Sequence, residues 1–125
     1  MRKVLLLVPD LFFRVRIGDV VRALGATPVD VTAANVQAEV ADAALLVVDA
    51  APAVNGLAVV QLLKGDPATA WLPVLGFGSH VDVAGQRAAL QAGCDRLVTR
   101  GKLMAELPTL LAGFLTPAPA AEDKV

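Results

Sequence analysis

Three short aliphatic runs, Lys3–Val8, Ala43–Val48 and Pro73–Phe77, alternate with stretches whose apolar residues recur at helical spacing. A strand that is apolar along its whole length, rather than at every second residue, is covered on both faces. Parallel neighbours cannot be joined by a tight turn, so such strands need crossover helices between them. This alternation restricts the chain to an α/β architecture built on a parallel sheet. At 125 residues it supplies one domain and not two.

The remaining elements follow from periodicity and punctuation. Between Leu11 and Leu24 the residues Phe13, Ile17, Val20, Val21 and Leu24 fall on one helical face. Asp10 is placed to cap that helix and Gly25 to stop it. Thr27–Val31 reads as a second strand, at an edge because Pro28 cannot donate to a ladder. Asn35–Val40 predicts a short helix, and Gly56–Lys64 another with Leu57, Val60 and Leu63 facing inward. Gly65-Asp66-Pro67 ends it. Val83–Ala92 is helical up to Gly93, and Leu97–Thr99 is a short fifth strand. Lys102–Leu115 predicts a last helix with Leu103, Leu107, Leu110, Leu111 and Phe114 inward, kinked or started late by Pro108. The body is expected to span 1–115, and the Pro- and Ala-rich tail 116–125 to be disordered.

Composition narrows the function. An apolar content of 56% allows a substantial core. The net charge of −1, without clustered Lys or Arg, argues against a nucleic-acid binder. One cysteine, Cys94, excludes an intramolecular disulfide and a multi-cysteine metal site. The apolar start Val4–Val8 ends at Pro9-Asp10, too short for a signal peptide, and no stretch is long enough to cross a bilayer. A cytoplasmic location is expected.

Asp49 stands at the C-terminal tip of the central apolar run, ahead of a loop with Pro52 and Gly56. Open α/β sheets place their chemistry at such strand tips. Gly76-x-Gly78 lacks the strand-to-helix fingerprint of a phosphate cradle and is read as close backbone approach near Asp49. Ser79 has neither a nucleophile elbow nor a His–Asp partner pattern. His80 is read as a solvent-facing loop residue rather than a proton donor. Trp71 and Phe12 are the aromatics that core periodicity does not explain. Arg14, Arg16 and Arg22 give the first helix a mildly basic face, either solvated or suited to an acidic helix.

In order and spacing these segments resemble two-component response-regulator receiver domains. Ala43–Asp49, Pro52 and Asn55-Gly56-Leu57 are similar to their third strand and following loop. Leu62–Thr69 and Leu72–Leu75 resemble their third helix, loop and fourth strand. Gln91-Ala92-Gly93-Cys94-Asp95 and Leu97–Arg100 resemble an Ala-Gly-Ala-Asp stretch and the fifth strand. The resemblance runs from Lys3 to Leu115. It implies a flavodoxin-like five-stranded parallel sheet of order 2-1-3-4-5 with helices on both faces. It also implies Asp49 as the candidate phosphoacceptor, with Gly78 and Arg100 beside it.

The departures shape the functional expectation. The family's two acidic residues after the first strand fall on Val8 and Pro9, with Asp10 one residue late. The hydroxyl residue of the fourth strand falls on Gly78, with Ser79 adjacent. The fifth-strand Lys falls on Arg100, and the rotating aromatic on Leu97. Asp49 is then read as a strand-end carboxylate paired with Arg100 or capping a local amide, and Asp10 as a helix cap. Asp10 and Asp49 are weak candidates for Mg2+, so no metal or other cofactor is expected.

The expected function is a stand-alone atypical receiver-like module, not an enzyme, that acts by protein–protein interaction. A histidine kinase is among the partners the resemblance suggests. Gln86, Arg87, Leu97 and Lys102 would form a constitutive docking face. The alternatives are a Mg2+-dependent receiver phosphorylated on Asp49 and a small-ligand binder at the strand-tip crevice.

Overall fold

The computed structural model describes residues 2–79 and 81–115. His80 and the tail 116–125, for which a loop role and disorder are expected, lie outside them. Five strands form one sheet: β1 (Lys3–Leu7), β2 (Thr27–Asp30), β3 (Ala43–Asp49), β4 (Val74–Gly78) and β5 (Arg96–Thr99). All neighbours are parallel, in the order β2-β1-β3-β4-β5. This is the flavodoxin-like arrangement implied by the sequence. Pro28 sits opposite Val4 on the edge strand β2, where its missing N–H can face away from β1.

The central strands are apolar throughout because both faces are covered. On one face Leu5, Leu7, Leu46, Val48 and Val74 pack with Val59, Val60 and Leu63 of α2 (Gly56–Lys64) and Ala89 and Ala92 of α3 (Val83–Ala92). On the other, Val4, Leu6, Leu45, Val47, Leu75 and Phe77 pack with Ile17 and Val21 of α1 (Leu11–Ala23). Leu103 of α4 (Arg100–Ala105) and Leu107, Leu110 and Leu111 of α5 (Leu107–Leu115) complete that layer. Odd and even residues of a strand thus feed separate cores, as the two-residue period of a strand requires.

The caps are those the sequence indicates. Asp10 accepts from the Phe13 amide at the start of α1. Gly25 and Gly93 adopt positive φ after α1 and α3. Two elements differ. The helix expected over Asn35–Val40 is a single 3-10 turn, Val36–Glu39, whose Asn35 makes no side-chain cap bond. Only Val36 and Val40 are buried there, too few apolar positions to hold a longer helix against the sheet. The helix expected over Lys102–Leu115 begins two residues earlier and divides at Glu106. Thr99 accepts from the Lys102 amide and starts α4 directly at the end of β5. Pro108 has no N–H to continue the ladder, and it lies in the first turn of α5, where none is needed.

Candidate functional site

The parallel register brings three strand ends together. Asp49 lies opposite Phe77, and Gly78 opposite Thr99. Arg100, the first residue of α4, follows Thr99 without a loop. Asp49, Gly78 and Arg100 are therefore neighbours, as the sequence implies.

Asp49 is only 4% exposed. Its Oδ1 accepts from the Ala51 amide at 2.9 Å. Arg100 Nη2 straddles the carboxylate, 3.4 Å from Oδ1 and 3.3 Å from Oδ2. One nitrogen serving both oxygens is a looser arrangement than a fork of two parallel bonds. The guanidinium is fixed from another side by aromatic rings. Its carbon lies 5.4 Å from the Phe13 ring centre and 5.8 Å from that of Phe77. The two rings are 5.7 Å apart. A cation at such distances from aromatic faces is attracted to them. Arg100 Nε is buried and has no hydrogen-bond partner among the described residues.

The loop after Asp49 approaches it closely. Asn55 takes a left-handed conformation and Gly56 opens α2. A Cβ on Gly56 would collide with the Asp49 carbonyl oxygen and Val48 Cγ2. Gly76 is needed elsewhere than expected: a Cβ there would press on Cys94 Sγ and Leu97 Cδ1 at 3.3 Å, not on Asp49. Gly78 is less confined, with Ala50 Cβ 3.7 Å from an added Cβ. Beside it, Ala50, Pro52, Leu57, Ser79 and Leu97 help to line a cavity of about 400 Å3.

Asp10 is exposed and spends Oδ1 on the α1 cap. Among the described residues no group of three or more His, Cys, Asp or Glu side chains is placed to hold a metal ion. The expected docking residues lie along α3, β5 and α4. Gln86 Nε2 donates to the Leu97 carbonyl at 3.3 Å. Gln86, Leu97 and Lys102 line a groove of about 470 Å3 that also holds Leu90, which is 56% exposed. Arg87 and Lys102 are exposed, and Leu97 is buried. Trp71 is half exposed and donates to the Ala68 carbonyl.

Two residues of the site escape a reading by motif. Phe13 and Phe77 look like core in the sequence, yet they form the shelf under Arg100. Helical spacing does carry a signal: Phe13 is the inward residue of the first turn after Asp10, at the strand-tip end of the sheet.

A buried strand-tip carboxylate on the central strand of a parallel sheet defines the class as a flavodoxin-like α/β domain with a strand-end site. No family model matches the chain, and no curated protein matches it in sequence. Solved structures narrow the fold to that of response-regulator receiver domains. A putative response regulator from Chloroflexus aurantiacus superimposes at TM-score 0.79 with 18% identity, over 93% of this chain and 98% of that one. A phosphorylated cyanobacterial phytochrome response regulator gives 0.78 with 15% identity, over 94% and 96%. The signal receiver domain of a two-component histidine kinase from Clostridium thermocellum gives 0.78 with 18% identity, over 93% and 98%. At these identities the likeness is one of fold. Among the described residues no helix is long and apolar enough to cross a membrane.

Proposed function

We propose that the chain is an atypical receiver-like signalling module that works by binding other proteins rather than by phosphoryl transfer. The observation that carries this reading is the Arg100 guanidinium held across both oxygens of Asp49 on the Phe13–Phe77 shelf. A working phosphoacceptor needs its carboxylate open to a metal ion and to the incoming phosphoryl group. Here a fixed cation of the protein already neutralises it.

The residues present do not fit Mg2+. That ion demands near-octahedral oxygen ligation. Asp49 is engaged by Arg100 and Ala51, Asp10 caps α1, and Val8 and Pro9 offer no side-chain oxygen. Gly78 supplies no hydroxyl, and Leu97 replaces a switching aromatic. A two-state switch needs an element whose contacts differ between states. The face of α3, β5 and α4 is therefore a constitutive surface in this reading, with Arg87 and Lys102 as exposed contacts and Gln86 bonded to the Leu97 backbone. The module is non-enzymatic and meets its partner, a histidine kinase or another signalling protein, in the cytoplasm.

A second reading rests on the cavity of about 400 Å3 beside Gly78, which suits a small, largely apolar ligand. The two are separated by capturing partners on immobilised protein. Arg87→Glu or Lys102→Glu should weaken capture, and Asp49→Asn should leave it unchanged. Loss of capture in folded Asp49→Asn, with both charge reversals still binding, would sink the proposal.

A further inference from the structure

The first half of α1 carries the least explained surface of the molecule. Phe12 is 86% exposed, Leu11 63% and Val15 53%. They sit beside the strand tips, and with Arg16 and Asp19 they line a shallow groove of about 370 Å3. Leu11, Val15 and Asp19 follow one another at four-residue spacing, and so do Phe12 and Arg16. The five thus make one continuous stripe, which exposed Ala23 extends. The opposite side of α1 already holds its core residues Ile17, Gly18 and Val21. Among the described residues nothing covers the stripe.

We propose that the stripe is a self-association surface and that its occupant is the same stripe of a second copy, packed antiparallel about a two-fold axis. The charges favour a copy over an unrelated partner. A two-fold interface must be complementary to itself. Arg16 and Asp19 are exposed, opposite in sign and on the same face. The antiparallel register that sets Arg16 of one copy against Asp19 of the other does so twice. The same register lays each Phe12 over the second copy's Ala23, a small residue that admits a ring. Asp19 pairs within its own chain with Arg22 at 3.3 Å, but both side chains are about two-thirds exposed. Such a pair is weak and leaves the carboxylate available.

Area sets the strength. Three side chains exposed to this degree present on the order of 300–400 Å2 of apolar surface, the size of the largest patch on a typical monomer, which is often functional. With the flanking stems a copy would bury somewhat less than the roughly 800 Å2 per partner of a standard interface. The dimer is accordingly weak and concentration-dependent.

The test is sedimentation velocity of the full chain from micromolar to millimolar concentration, with circular dichroism to confirm that each variant is folded. The wild type should move from monomer towards dimer mass. Phe12→Ala should raise the dissociation constant about tenfold or more. Arg16→Asp and Asp19→Arg should each weaken the dimer. An equimolar mixture of these two single variants restores both pairings and should recover it. A monomer at every concentration, a dimer indifferent to Phe12→Ala, or a mixture no better than its components would overturn the proposal.

Discussion

Arg100→Ala isolates the interaction on which the site depends. It leaves a carboxylate that is 4% exposed with the Ala51 amide as the remaining donor among the described residues. A hydrogen bond to a charged group contributes about 1.5–3 kcal/mol. Stacking on Phe13 and Phe77 adds about 0.5–2 kcal/mol. The Arg100 side chain is 32% exposed and its bonds are long, so both terms lie near their lower ends. The expected loss is about 2 kcal/mol. Asp49→Ala should cost less, about 1 kcal/mol, because the freed guanidinium can turn to water. In the double variant no unpaired buried charge remains. The cycle should show a coupling of about 1–1.5 kcal/mol. Urea unfolding of all four proteins at neutral pH measures it, and high salt should change it little, since the carboxylate is buried. Single-variant losses that add to within about 0.5 kcal/mol would refute the coupling.

Two further perturbations probe the frame of the site and the layer beneath it. Gly56→Ala forces a Cβ against the Asp49 carbonyl and Val48 and should lower stability by about 2 kcal/mol in the same assay; an unchanged urea midpoint would contradict the close approach. Burial, aided by Asp95 and opposed by Lys64, pushes the Cys94 thiol from 9.0 up to about 11. The unfolded chain then loses its proton first. The stability this group contributes is full below about pH 9 and is lost as pH rises through about 11, a fall on the order of 1–3 kcal/mol. Cys94→Ala should lack this fall, and matching alkaline unfolding curves would refute it.

The fold was legible because local and global signals agree. Uninterrupted aliphatic strands, a cap at Asp10, and stops at Gly25 and Gly93 all indicate the same βα alternation. Pro28 marked an edge strand because its missing donor is a local fact with one structural consequence. The misjudged elements were short ones. Val36–Glu39 depends on how few apolar residues reach the sheet, and the early start of α4 at Arg100 on the Thr99 cap, whereas the break just ahead of Pro108 is the interruption that residue implied. Asp49 and Arg100 were legible as neighbours through the resemblance to receivers. Phe13 and Phe77 were not, since an aromatic under a guanidinium and an aromatic in a core leave the same trace in a periodic pattern. The exposed Phe12 stood out in the sequence for the converse reason: it breaks that pattern.

In the proposed function Arg100 stands where a phosphoacceptor site needs a metal ion and open space. The most direct test is intact-mass spectrometry after incubation with acetyl phosphate and Mg2+, under conditions that leave phosphoaspartate intact. The wild type and Asp49→Asn should both keep an unmodified mass. A stoichiometric phosphoryl adduct on the wild type, absent from Asp49→Asn, would contradict it.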